Sequence, residues 1–210
     1  MEGGTGPGPR ELIPCSPREF HHVRAGIKGR PHDTGVIRPV PAVETIARPL
    51  PERIDRLVLS VLKAACSSQL TLAAAESCTG GLLASLLTDV PGCSHAFDRG
   101  FVVYTDEAKH EMLGVPTLLL DQDGAVSESV ARAMAEGALA RSRAHIAVAI
   151  TGYAESPEGC EGRPGLVHFA CARHGVPTLH RRDVYGDVGR AEVRLRCLET
   201  SLRLLARQIG

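Results

Sequence analysis

Between Leu70 and Leu87 the hydrophobic period of the chain switches from that of a strand to that of a helix within a few residues. Leu70-Thr71-Leu72-Ala73-Ala74 has the length and composition of a buried strand, and Leu82-Leu83-Ala84-Ser85-Leu86-Leu87 is amphipathic. The stretch between them, Ala75-Glu76-Ser77-Cys78-Thr79-Gly80-Gly81, must form a tight strand-to-helix turn. Ser and Thr supply N-cap oxygens there, glycines supply permissive backbone, and the free N–H groups of the first helical turn face whatever lies above. Such a turn can hold a hydroxyl nucleophile beside donors suited to an oxyanion or a phosphate. The same residues also suit a plain helix cap, so the local pattern leaves both readings open.

The rest of the chain repeats the alternation. A helix is expected from Pro51-Glu52-Arg53 to about Ser68, with Ile54, Leu57, Val58, Val61, Leu62 and Ala65 at helical spacing. After the helix of about 79–88, Asp89-Val90-Pro91-Gly92 makes a loop. Phe101-Val102-Val103-Tyr104 reads as a second strand. Thr105-Asp106-Glu107 then opens a helix, with a hydroxyl and two carboxylates where the helix dipole favours them, and Gly114 closes it. Ser127 caps a longer helix reaching about Arg143. His145-Ile146-Ala147-Val148-Ala149-Ile150 is apolar enough for a central strand covered on both faces. Residues 166–172 and 178–185 form a hairpin about Gly175, and an amphipathic helix spans roughly 188–208. This order predicts a three-layer α/β/α domain over 49–210, with a mixed, mainly parallel sheet and an antiparallel edge hairpin.

Residues 1–48 are rich in Gly, Pro and Arg and carry no sustained period, so they are expected to form a disordered or loosely docked arm. Aromatic residues are only 3% and Trp is absent, which leaves Leu, Val, Ile and Ala to build the core. Basic and acidic residues balance at 24 each, so nothing points to a nucleic-acid-binding surface. No apolar run approaches the ~20 residues of a membrane span, and a cytoplasmic protein is the expectation. The seven cysteines have no C-x-x-C spacing, which argues against a disulfide framework or a zinc site.

The ends of the three expected parallel strands bring Ser77, Tyr104 and Thr151 to one sheet edge, where open α/β sheets bind ligands. Lys109, five residues past Tyr104, can reach the same crevice on its flexible stem. A partly desolvated lysine beside a hydroxyl can act as a base and generate a serine nucleophile without histidine. The alternative is a solvated lysine paired with Asp106 or Glu107.

Ala75-Glu76-Ser77-Cys78-Thr79-Gly80-Gly81, Asp98-Arg99-Gly100-Phe101-Val102-Val103-Tyr104-Thr105-Asp106-Glu107-Ala108-Lys109, Gly124-Ala125-Val126-Ser127-Glu128 and Ile150-Thr151-Gly152 follow one another as in the CinA C-terminal-domain family. The chain resembles that family over about residues 52–208. The resemblance implies a nicotinamide-nucleotide amidohydrolase, converting nicotinamide mononucleotide (NMN) to nicotinate mononucleotide and ammonia in pyridine-nucleotide salvage, with no metal or organic cofactor. It implies Ser77 as nucleophile, Lys109 as general base, and Tyr104 and Thr151 as orienting groups. The turn from Cys78 through Thr79, Gly80 and Gly81 would supply oxyanion donors, and Arg190 would lie near the nucleotide phosphate, as a bidentate fork suits. Gly152 and Arg163 are expected substrate contacts, and Glu76 is expected behind the reacting atoms, ordering the turn or touching ribose. A homodimer is also implied. No activity is expected that needs the larger N-terminal domain often joined to this module.

The loop after Thr151-Gly152 departs from the family pattern. Glu155-Ser156 stands where a Gly-Pro pair is usual, and Glu155, Glu158 and Glu161 add negative charge where an anion would sit, with Arg163 to offset it. Two alternatives follow: a non-catalytic nucleotide- or partner-binding protein of the same fold, or hydrolysis of a less anionic amide by the same dyad.

Overall fold

The computed structural model describes residues 50–155 and 163–210; the expected N-terminal arm, and Glu158 and Glu161 of the acidic loop, lie outside the described residues. The first helix, α1 (Glu52–Ser67), leads to β1 (Leu72–Glu76) and α2 (Leu82–Thr88). A single 3-10 turn then enters β2 (Phe97–Val102), followed by three helices, α3 (Asp106–Leu113), α4 (Thr117–Asp123) and α5 (Glu128–Ala140). The chain continues through β3 (Ile146–Gly152), the hairpin β4 (Leu166–Arg173) and β5 (Val176–Val184), and α6 (Arg190–Ile209).

The five strands form one sheet in the order β2-β1-β3-β4-β5. β1 pairs parallel with β2 on one side and with β3 on the other, while β3, β4 and β5 are antiparallel. The run beginning at Ile146 therefore takes the middle position, buried from Ile146 to Thr151. Such continuous burial is what an unbroken apolar run requires.

Strand periodicity sorts the core into two unlike layers. Leu72, Ala74, Ile146, Val148, Ile150, Phe169 and Cys171 face α1, α2 and α6. Their neighbours Ala73, Ala75, Ala147, Ala149, Ala170 and Ala172 face α3, α4 and α5. On β1, β3 and β4 the second face is all alanine, with Phe101 of β2 at its edge, so it is thin, and the helices above it must interdigitate among themselves. Gly137 of α5 marks the tightest point: a Cβ there would lie 2.1 Å from the Leu113 carbonyl oxygen of α3. The expected face of α5, Val130, Met134, Ala138 and Leu139, is buried in this layer.

The architecture is three-layer α/β/α with a mixed sheet and an antiparallel edge hairpin, as the alternation implied. Several boundaries move. β2 starts at Phe97 and stops at Val102, so Tyr104 lies beyond the strand rather than in it. An edge strand need not alternate cleanly, and Asp98-Arg99-Gly100 gives no apolar signal. α2 starts at Leu82 instead of 79, because Ser77–Gly81 are used by the turn, and α5 stops at Ala140 rather than 143. α4 has no counterpart in the sequence reading; its seven residues fall just short of two helical turns, too few to show a period. Among the described residues no helix is long and apolar enough to cross a membrane.

Candidate active site

The turn after β1 is fastened from below. Ser77 N–H donates to the Ile150 carbonyl at 3.0 Å, tying the turn to β3. The Glu76 carboxylate, 1% exposed, accepts from the N–H groups of Gly81 at 3.1 Å, Leu83 at 3.0 Å and Ala84 at 2.7 Å. A negative charge there satisfies the orphan donors of α2 and complements its dipole. Glu76 is therefore the cap of α2, reaching forward from the strand. Of the two readings the local pattern left open, the plain cap by Ser77 or Thr79 is therefore not the one found, and of the two roles expected for Glu76 this geometry is that of ordering the turn. Gly80 (φ 61°) and Gly81 (φ 93°) adopt the left-handed backbone that lets the chain swing around this carboxylate.

With the cap supplied elsewhere, the Ser77 hydroxyl is free. Among the described residues it makes no hydrogen bond, and it opens on a cavity of about 320 Å³, within the usual size range of small-molecule sites. The N–H groups of Cys78 and Thr79 are likewise unengaged among the described residues. Those of Gly80 and Gly81 are not: Gly80 donates to the Ser77 carbonyl, and Gly81 to Glu76. The donors beside Ser77 therefore come from the first half of the turn, not from the glycines. Thr79, Gly80 and Gly81 do not line the cavity; Cys78 does.

Lys109 enters from α3. Thr105 caps that helix by accepting from the Ala108 N–H, as its sequence requires. The cap directs the second turn, and with it Lys109, into the interior. Lys109 is 2% exposed and lines the same cavity as Ser77. Its Nζ donates to the Tyr104 carbonyl at 3.4 Å and to Asp106 Oδ1 at 3.1 Å. The solvated alternative is thus half met: the lysine pairs with Asp106, but it is buried. An ammonium has three hydrogens, so one position of Nζ is left for a group in the cavity. No hydrogen bond joins Nζ to Ser77 Oγ.

Two more walls complete the cavity. Thr151, at the end of β3, is buried and donates its hydroxyl to the Ala125 carbonyl at 2.7 Å, holding the loop before α5 against the sheet. Gly152, Tyr153, Ala154 and Glu155 continue from it along the rim. Arg190, at the first residue of α6, closes the mouth. It bonds Glu155 at 2.6 Å and donates to the Tyr104 hydroxyl at 3.5 Å. Tyr104 thus serves Lys109 through its carbonyl and Arg190 through its phenol, and its side chain is 63% exposed. Arg163 is exposed and is not among the residues that line the cavity.

Three features escaped sequence reasoning. Arg194, one turn after Arg190, donates to the Thr79 carbonyl at 2.7 Å and braces the turn from α6. Its i, i+4 spacing from Arg190 was the only available signal. Cys78 and Cys197 are buried in the same core layer; the neighbouring Cys197 thiol holds the Cys78 thiol below its ordinary range, and Cys197 is pushed above its own. Behind Thr151, its β4 partner His168 bonds His180 at 3.1 Å, and His180 in turn reaches Glu128 at 3.3 Å. Burial pushes both imidazoles below 6.5.

A family model, the CinA C-terminal domain, matches residues 54–209. The chain belongs to the CinA family. Similar members include a CinA-like protein of Akkermansia muciniphila, 54% identical over 117 residues, which covers 55% of this chain and 28% of that protein. A CinA-like protein of Synechococcus sp. is 44% identical over 158 residues, covering 74% and 37%. The chain spans roughly a third of the length of these curated relatives. Among solved CinA-family structures, the competence/damage inducible protein CihA from Agrobacterium tumefaciens aligns over 78% of this chain and 100% of its own, with a TM-score of 0.75 and 44% identity. The CinA superfamily protein from Escherichia coli aligns with a TM-score of 0.69 at 35% identity, over 78% and 95%.

Proposed function

We propose that this chain is a serine–lysine amidohydrolase that converts NMN to nicotinate mononucleotide and ammonia. The observation that supports it most is the convergence of an unengaged, nearly buried serine hydroxyl and a buried lysine amine on one cavity of ligand size. In this reading the neutral Lys109 amine takes the Ser77 proton as Oγ attacks the carboxamide carbon. The unengaged Cys78 N–H, at the cavity wall beside Ser77, receives the oxyanion. The Lys109 ammonium then returns its proton to the departing nitrogen, and ammonia leaves an acyl-serine. A water molecule, deprotonated by the same amine, attacks the ester and frees the carboxylate product and Ser77.

Asp106 and the Tyr104 carbonyl hold Nζ, and Thr151 holds the opposite wall through Ala125. Arg190 takes the phosphate end, where a permanently charged fork suits an anion. Catalytic hydrogen bonds are commonly long until substrate closes the site, so the missing Ser77–Lys109 bond is compatible with this chemistry. Purified protein is expected to release ammonia from NMN. Ser77→Ala and Lys109→Ala are each expected to lose on the order of 10³-fold or more in kcat. Full activity in either variant overturns the mechanism.

The engagement of Lys109 with Asp106, and of Arg190 with Glu155, favours a second reading: a nucleotide-binding protein of the same fold without turnover. Calorimetry alongside the ammonia assay separates the two, since that reading requires binding with no product.

A further inference from the structure

Among the described residues, four charged side chains line the cavity, two of each sign: Lys109 with Asp106, and Arg190 with Glu155. The two pairs are not equivalent. The lysine is 2% exposed and held on two sides, by Asp106 and by the Tyr104 carbonyl. The arginine is 44% exposed, its carboxylate partner 61%, and the pair lies at the rim. Arg194 does not line the cavity; its Nη2 donates to the Thr79 carbonyl, which holds the guanidinium behind the turn. Among the described residues, any anion entering the cavity therefore has one exchangeable cation to meet, and Glu155 already occupies it at 2.6 Å.

We infer that Glu155 is a specificity-determining residue: its carboxylate is a built-in competitor for the anionic group of the substrate at Arg190. The inference rests on the amidohydrolase reading above and deepens it. A phosphate can take Arg190 only by displacing Glu155, and once displaced the carboxylate remains near the incoming negative charge. Both effects weaken the binding of a phosphorylated ligand, and neither touches an uncharged one. Glu155 thus narrows the margin by which the site prefers a nucleotide over the corresponding nucleoside. Because an exposed ion pair is weak, the competition tunes affinity without closing the site.

The test uses the full chain carrying Ser77→Ala, so that ligands are held without turnover, with and without Glu155→Gln. Binding of NMN and of its dephosphorylated nucleoside is measured by calorimetry. Glu155→Gln is expected to tighten NMN by about twofold to fivefold, the range an exposed charge pair supports, and to leave the nucleoside unchanged. Equal NMN affinity in both proteins overturns the inference while the amidohydrolase reading stands. An equal gain for both ligands also overturns it, because the loop would then have changed shape rather than charge. If neither protein binds NMN, the amidohydrolase reading fails, and this inference fails with it.

Discussion

The two walls of the cavity are built to opposite standards. The wall after β1 is held by buried bonds that exclude one another's failure: three N–H groups on the Glu76 carboxylate, one on the Ile150 carbonyl, and Arg194 on the Thr79 carbonyl. The wall after β3 is tied to β4 as far as Tyr153, whose N–H donates to the Leu166 carbonyl at 2.9 Å and whose carbonyl accepts from the Gly165 N–H at 3.1 Å; beyond it, among the described residues, the rim is held by one exposed ion pair, Glu155 with Arg190. A reacting hydroxyl must be placed to a fraction of an ångström, since small misplacements cost large factors in rate. A specificity contact has only to be favourable or unfavourable. Under the proposed amidohydrolase reading, the difference lets one fold keep its chemistry while its ligand preference drifts.

The largest effect is expected where the rigid wall is broken. Glu76→Ala leaves three buried donors unpaired and should lower stability by about 2–4 kcal/mol, read as a shifted denaturant midpoint, with most activity lost. A variant with unchanged midpoint would show that the carboxylate is dispensable to the turn. Arg194→Met probes the same wall from α6. Because Arg194 holds the turn and not the ligand, kcat for NMN should fall roughly tenfold at unchanged KM, with partial recovery in Arg194→Lys. A raised KM at unchanged kcat would make it a ligand contact instead.

A smaller effect separates the two walls by pH. Burial pushes His168 and His180, behind Thr151, below 6.5. Glu128 favours their charged forms, while Arg182 beside His168 and Arg132 beside His180 oppose them, and burial dominates. The unfolded chain therefore takes up protons before the folded one does. The stability these neutral imidazoles contribute is complete above about 6.5 and is lost as pH falls through their lower folded values. Thermal midpoints should decline from pH 7 to pH 5, less steeply in His180→Gln. An identical decline would assign the effect to carboxylates elsewhere. The smallest change is expected for Glu155→Gln, whose exposed pair should alter stability by under about 1 kcal/mol. A larger loss would mean that the second wall also depends on its ion pair for folding.

Much of this architecture was legible because it is written in local periods. The run from Ile146 is continuously apolar and takes the centre of the sheet; Thr105, Ser127 and Gly114 sit at the helix ends their chemistry favours. β2 was read too late because an edge strand tolerates Asp98 and Arg99, and α4 was missed because seven residues carry no period. At the site, Ser77, Tyr104 and Thr151 are legible as neighbours because strand ends on one sheet edge converge, and Lys109 because it follows Tyr104 by five residues; all four line the cavity. Their individual bonds were not legible. Nothing near Glu76 in the chain announces that it, rather than Ser77, caps α2, since the choice depends on which way the turn folds. Arg194 and Glu155 act across 115 and 35 residues of chain.

The order and hydrophobic period of the elements were determined by the sequence alone, because strand and helix periods, caps and breakers act over a few residues. Which polar groups were used up, and which were left facing the cavity, was decided only by the tertiary structure. A hydroxyl becomes available when a carboxylate elsewhere satisfies the helix, and a lysine becomes buried when its helix closes over the sheet. Both outcomes depend on distances between residues that the linear pattern does not encode.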